Sequence, residues 1–159
     1  MKENLFDHID IPLSQCHIPN GTAQDLKEEC ERFEQLIQSV GGIDFQLLGI
    51  GPNGHIGFNE PGTPFQSRTH IVPLTEETRQ ANSRFFNSID EVPKMAITMG
   101  IETILQSKEI MLLASGKSKA EAMKNLIHGE IHKSIPGSAL KRHKNVTIIA
   151  DEEALQFVE

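Results

Sequence analysis

The chain has 159 residues, 38% of them hydrophobic and 23% charged, which suits a single domain spanning residues 1–159 and is too short for two ordinary ones. No apolar run approaches a bilayer span, so no membrane role is expected. The net charge of −7, with fifteen Lys and Arg scattered along the sequence, argues against a nucleic-acid partner. Cys16 and Cys30 lack C-x-x-C spacing and no secretory n-region or h-region opens the sequence, so a cytoplasmic location is expected.

In chain order, Ile11 to Gly21 carries two prolines and ends in Pro19-Asn20-Gly21, a connection with a turn. Thr22 precedes a predicted helix in which Leu26, Cys30, Phe33, Ile37 and Val40 recur at helical spacing, with Gly41-Gly42 as the stop. The apolar run Ile43 to Ile50 predicts a buried strand. His70 to Leu74 is a second, and Thr75 with Glu76 and Glu77 reads as the cap and first turn of a helix running toward Phe86. Ala96 to Gly100 looks strand-like, a short helix follows through Ile104 and Leu105, and Glu109 to Ala114 is another buried strand. Ser118 and Glu121 have the spacing of a capping box, opening a helix that stops at Gly129. Asn145 to Ala150 supplies the last strand and Asp151-Glu152-Glu153 a last helix start. Strands alternating with helices in this way predict an α/β fold with a mostly parallel sheet.

Gly49-Ile-Gly51-Pro-Asn53-Gly54-His55-Ile-Gly57-Phe58-Asn59-Glu60-Pro61 concentrates the chemistry. It leaves the carboxyl end of a predicted strand, where open α/β sheets place their ligands. Gly49, Gly51 and Gly54 match the dinucleotide fingerprint literally. That fingerprint needs a helix to open at its third glycine, and Gly57, Pro61, Gly62 and Pro64 break any helix there. A purely structural loop is the bland alternative. Against it stand His55, Asn59 and Glu60, polar groups with no evident packing task, among glycines that let a ligand approach the backbone. His55 with Glu60 resembles a base and its orienting carboxylate, although a lone histidine is more often a structural one. No H-x-x-x-H or H-E-x-x-H pattern supports a metal, and no G-x-S-x-G supports a nucleophile.

Two cations complete the candidate site. Lys119 sits where a helix amino end prefers acidic residues, which makes sense if an anion such as phosphate shares the spot. Arg84, in Asn82-Ser83-Arg84-Phe85-Phe86, could join it, though an exposed arginine is usually a solvated charge. The residues alone thus describe an α/β protein that holds a small phosphorylated metabolite while His55 and Glu60 transfer protons.

GIGPNGHIGFNEPGTPFQSRTH, TRQANSRFF, EVPKMAITMGIETIL and SGKSKAEAM together resemble the glucosamine-6-phosphate deaminase family across nearly the whole chain. The resemblance implies a three-layer Rossmann-like sheet and conversion of glucosamine 6-phosphate to fructose 6-phosphate and ammonia, with no cofactor. It makes His55 the ring-opening acid/base and Glu60 its carboxylate partner, and puts Asn53 where many members have Asp. Arg84 and Lys119 match phosphate-binding positions. With Asn53 uncharged, Glu60 would have to orient His55 and favour its charged form alone. His70 and Val72 stand where allosteric members place basic residues, so no activation by N-acetylglucosamine 6-phosphate is expected.

The resemblance also implies a departure. Members carry, ahead of the segment like Met1 to Phe6, a Gly-rich phosphate loop and a D-E-Y element whose Asp takes the C2 proton. This sequence has no Tyr, so an absent amino-terminal third and a sheet incomplete on that side are expected. Self-association through an exposed sheet edge is a further expectation. The alternatives are a 6-phosphogluconolactonase-like hydrolase, which would lack F-N-E-P, and a non-catalytic phosphosugar-binding protein.

Overall fold

The structure is a computed structural model that describes residues 1–158, the side chain of Ala81 excepted. Strands β1 (Phe45–Gly49), β4 (Glu109–Ala114) and β5 (Val146–Ala150) form a parallel sheet in the order β1-β4-β5, with Leu48 beside Leu112 and Leu112 beside Ile148. Strands β2 (His70–Pro73) and β3 (Met95–Thr98) pair antiparallel in a sheet of their own. The α/β class and its mainly parallel sheet are therefore as expected, while β2 and β3 stand apart from that sheet.

Alternation decides which face is covered. Leu48, Ile110, Leu112 and Ala114 point to one side and are buried with Ile104 of α3 (Ile101–Leu105), Met123 and Leu126 of α4 (Ala120–His128), and Leu140 of the 3-10 segment Pro136–Arg142. On the other side Phe45, Leu47, Leu113 and Ile149 are each about half exposed. Parallel sheets are ordinarily covered on both faces; among the described residues this one keeps an apolar face open. No helix of the described residues is long and apolar enough to cross a membrane.

Helix boundaries follow local capping. Helix α1 (Leu26–Ser39) starts later than Thr22 suggested, because the Asp25 carboxylate accepts from the backbone N–H groups of Lys27 and Glu28. The Thr22 hydroxyl is engaged with Asn20 instead. Helix α2 (Glu76–Asn82) has its expected cap, Thr75 accepting from the N–H of Thr78. The expected capping box of Ser118 and Glu121 does not form. The chain enters α4 through a 3-10 turn, Lys117–Lys119, whose preceding residue Gly116 has φ +86°. The Asp151 carboxylate holds that entry, accepting from the Ser115 hydroxyl and from the N–H groups of Gly116 and Ala154. The expected helix after Asp151 is not formed; residues 152–157 make a run of turns instead.

Glu34 of α1 ties the two sheets' surroundings together. Its carboxylate accepts from the N–H and hydroxyl of Thr69, from the Thr103 hydroxyl and from Arg68. Burial alone would raise its pKa, but these donors outweigh burial and hold it below the ordinary carboxyl value. Glu34→Ala should lower stability by about 2–3 kcal/mol at neutral pH, because it orphans buried donors. A carboxyl lowered by folding stabilises above its unfolded value and loses that contribution as pH falls through the folded one. Urea midpoints of wild type and variant should accordingly converge toward acid pH.

Candidate functional site

The loop after β1 is fixed to the core by its own apolar and polar groups. Ile56 is fully buried, and Asn59, equally buried, donates through Nδ2 to the carbonyls of Ile56 and Met99. Asn59 therefore has the packing task that the sequence did not show. The N–H of Phe58 donates to the Thr98 hydroxyl, and the N–H of Gly137 donates to the carbonyl of Gly54. Gly54 does not line the cleft. Its φ of +84° and the Ile135 side chain against its Cα give it a structural reason to be glycine. Gly51 has a reason bound up with the site: a Cβ there would fall into the imidazole of His55.

A cleft of about 370 Å³ opens above this loop, lined by Gly49 to Pro52, His55, Gly57, Phe58, Thr78, Asn82 and Lys119. Its walls come from the carboxyl end of β1, from α2 and from the entry to α4. The loops after β1 and β4, strands that are neighbours in the sheet, thus meet at this cleft.

Hydrogen bonding assigns the imidazole's proton. Nδ2 of Asn53 donates to Oε2 of Glu60 at 2.7 Å, and a carboxylate only accepts, so Oδ1 of Asn53 is the atom that faces His55. Oδ1 accepts from the His55 backbone N–H and lies 2.8 Å from Nδ1. Oε1 of Glu60 is 3.5 Å from the same nitrogen. With only acceptors around it, Nδ1 carries the hydrogen. Nε2, which makes no hydrogen bond among the described residues, is left as the acceptor of the neutral ring. Asn53, rather than Glu60 alone, orients His55.

The charge balance also differs from expectation. Burial lowers the His55 pKa below the ordinary value, Glu60 pulls it back up, and Lys119 pushes it down. The neutral ring prevails at neutral pH. Lys119 is itself half-buried, and burial lowers its pKa. No group of three or more His, Cys, Asp or Glu among the described residues could hold a metal ion.

Arg84 is not brought to the cleft wall. It lies in the 3-10 turn after α2, exposed, with its guanidinium stacked 4.8 Å from the Phe85 ring centre. Two residues passed over by the sequence argument take part instead. Thr78 and Asn82 line the cleft, and their i, i+4 spacing on a helix with a strong cap was the available signal. Val72 is buried, and the His70 ring nitrogen Nδ1 is paired with the Arg68 carbonyl.

Three comparisons bear on the site. A family profile described as glucosamine-6-phosphate isomerases/6-phosphogluconolactonase matches residues 1–149. Glucosamine-6-phosphate deaminase of Bacillus pumilus is 65% identical over 154 residues, 97% of this chain and 64% of that protein. Glucosamine-6-phosphate deaminase 1 of Bacillus subtilis is 61% identical over 97% and 64% respectively. The solved structure of a monomeric glucosamine-6-phosphate deaminase superposes with a TM-score of 0.95 at 60% identity, covering 98% of this chain and 65% of that one. A 6-phosphogluconolactonase from Thermotoga maritima, at 20% identity and a TM-score of 0.68, shares the fold. The chain thus spans a little under two thirds of the length of the relatives it matches. These coverages do not bear out an absent amino-terminal third, since they give the share matched and not its position.

The His55 ring should titrate below about 6.5, the ordinary imidazole value, when followed by NMR. Because the folded ring takes up a proton less readily than the unfolded one, stability should fall as pH drops from that value toward the folded pKa. Asn53→Asp places a carboxylate at Nδ1 and should move the titration upward; a midpoint unmoved by that change would contradict the geometry above.

Proposed function

The chain belongs to the glucosamine-6-phosphate isomerase/6-phosphogluconolactonase family, and on that premise we propose that it serves glucosamine-6-phosphate deamination, His55 being the group that opens the sugar ring. The observation that carries this reading is the tautomer held by Asn53 and Glu60. A neutral imidazole with Nε2 at the cleft can take the proton of the anomeric hydroxyl and return it to the ring oxygen as the C1–O5 bond breaks. One proton moves, none is lost, and the open aldehyde results.

Lys119 would hold the phosphate. A half-buried ammonium at the entry to α4 gives an anion a charge to pair with in a partly desolvated place. Gly49, where a Cβ would meet open space, lets the sugar lie against the backbone, while Gly51 makes room for the imidazole that Asn53 and Glu60 keep in register. For Arg84 to reach the same phosphate, the segment that follows α2 would have to carry it in over the cleft. The substrate in this reading is a phosphorylated amino sugar, for which the largely apolar and glycine-rich cleft offers His55, Thr78 and Asn82 as polar contacts and Lys119 as the cation. The 6-phosphogluconolactonase alternative has in its favour only the shared fold and a family profile common to both activities, whereas the relatives at 61–65% identity are deaminases.

Deamination needs a further base at C2, and the described residues that line the cleft include no Asp or Glu. We therefore assign ring opening to this chain's own residues. Purified chain should accelerate interconversion of the anomers of glucosamine 6-phosphate, and His55→Ala should slow it by roughly a hundredfold or more, the typical worth of a positioned acid/base group. Sustained ammonia release at about one turnover per second, an ordinary enzymatic rate, that vanishes in His55→Ala would place the C2 base within this chain and overturn the division. Anomer exchange no faster than in buffer would overturn the ring-opening role itself.

A further inference from the structure

Thr78, buried in the first turn of α2, donates its hydroxyl hydrogen to Oε1 of Glu60 at 3.1 Å. Since the carboxylate can only accept, the direction of that bond is fixed, and the Thr78 oxygen accepts in turn from the Thr75 hydroxyl at 3.0 Å. Oε1 is the same oxygen that stands 3.5 Å from Nδ1 of His55. The other oxygen, Oε2, is held by Asn53. Each carboxylate oxygen thus has one neutral donor, and the two donors come from opposite sides, the loop after β1 and the helical wall of the cleft.

Building on the ring-opening role proposed for His55, we infer that Thr78 is a positioning residue, which holds Oε1 of Glu60 against the imidazole and ties the seating of the α2 wall to proton transfer at His55. The terminal torsion of a glutamate is broad and roughly two-fold, so one anchor does not fix both oxygens. Without Thr78, Oε1 is free to swing from the imidazole edge while Oε2 stays with Asn53. The charged groups facing His55 are Glu60 and Lys119, and Asn53 faces it as a neutral amide. As Glu60 withdraws, burial and Lys119 act with less opposition, and the ring becomes both harder to protonate and less firmly aimed. Thr78 also lines the cleft, so a displaced wall and a displaced carboxylate go together.

The plain alternative is that Thr78 merely braces α2, and the two roles separate in the titration of His55. Thr78→Val keeps shape and removes the donor, Thr78→Ala removes shape as well, and Thr78→Ser keeps the donor. In the full chain labelled at histidine, the Val and Ala variants should move the His55 midpoint to lower pH. They should also slow anomer exchange of glucosamine 6-phosphate by roughly ten- to a hundredfold, the upper figure being what a misplacement of about 1 Å can cost, with Ser within about twofold of wild type. Val and Ala midpoints that coincide with wild type, or lie above it, overturn the positioning role whatever happens to thermal stability. The titration needs no turnover. A wild-type chain that fails to speed anomer exchange would count against ring opening, while the NMR midpoints would still decide the role of Thr78.

Discussion

One amide side chain sets the state of the whole site. Asn53 cannot satisfy Glu60 and His55 in any other way than nitrogen to the carboxylate and oxygen to the imidazole, since the carboxylate has no hydrogen to give. That constraint places the hydrogen on Nδ1 and leaves Nε2 for the cleft. Gly51 then has to be glycine because the ring lies on it, and Ile56 and Asn59 have to be buried because the loop carrying the ring must not drift. The loop is built from its catalytic candidate outward.

An amide in that place has an electrostatic cost and an advantage. It offers hydrogen-bond geometry without a charge, so the imidazole receives support from Glu60 alone, at 3.5 Å, against burial and a neighbouring ammonium. A charged partner at Nδ1 would tip the ring toward the protonated form, whereas the amide keeps it neutral and able to accept a proton at neutral pH. The same neighbourhood favours an anion near Lys119, whose burial needs a counter-charge more than a solvated lysine would. Acceptor and cation thus sit in one cleft with opposite demands, which a phosphorylated sugar can meet at its two ends.

Much of this was legible from residue order. The five strands and the four helices of the described residues followed from apolar periodicity and turn residues, because those signals are local. What stayed hidden depends on contacts distant in sequence. Asn59 looked like a free polar group until the Met99 carbonyl was beside it, and Asp25 outcompeted Thr22 as a cap because Asn20 had claimed the Thr22 hydroxyl. Ser118 lost its capping role to a turn held by Asp151, the residue after β5. Asn53 was read as a missing charge, and its hydrogen-bond geometry emerged only with Glu60 and His55 in place. Arg84 matched a motif, yet its side chain rests on Phe85 rather than at the cleft wall.

Asn53 is followed by Gly54, and that juxtaposition gives the site a chemical lifetime. Asparagine is thermolabile, and a glycine after it leaves the next backbone nitrogen sterically free to attack the side-chain amide carbon, expelling ammonia and, after hydration, leaving an acid. In the folded chain the nitrogen of Gly54 is committed to the Gly51 carbonyl, and the Asn53 amide is clasped by Glu60 and His55. The bonds that assign the imidazole's proton are therefore also the ones that slow its partner's ageing. Molecules that spend time unfolded lose that protection; water opens the resulting imide at either carbonyl, and only where the normal peptide link is restored can the chain refold with a carboxylate in place of the amide and a histidine of different proton affinity.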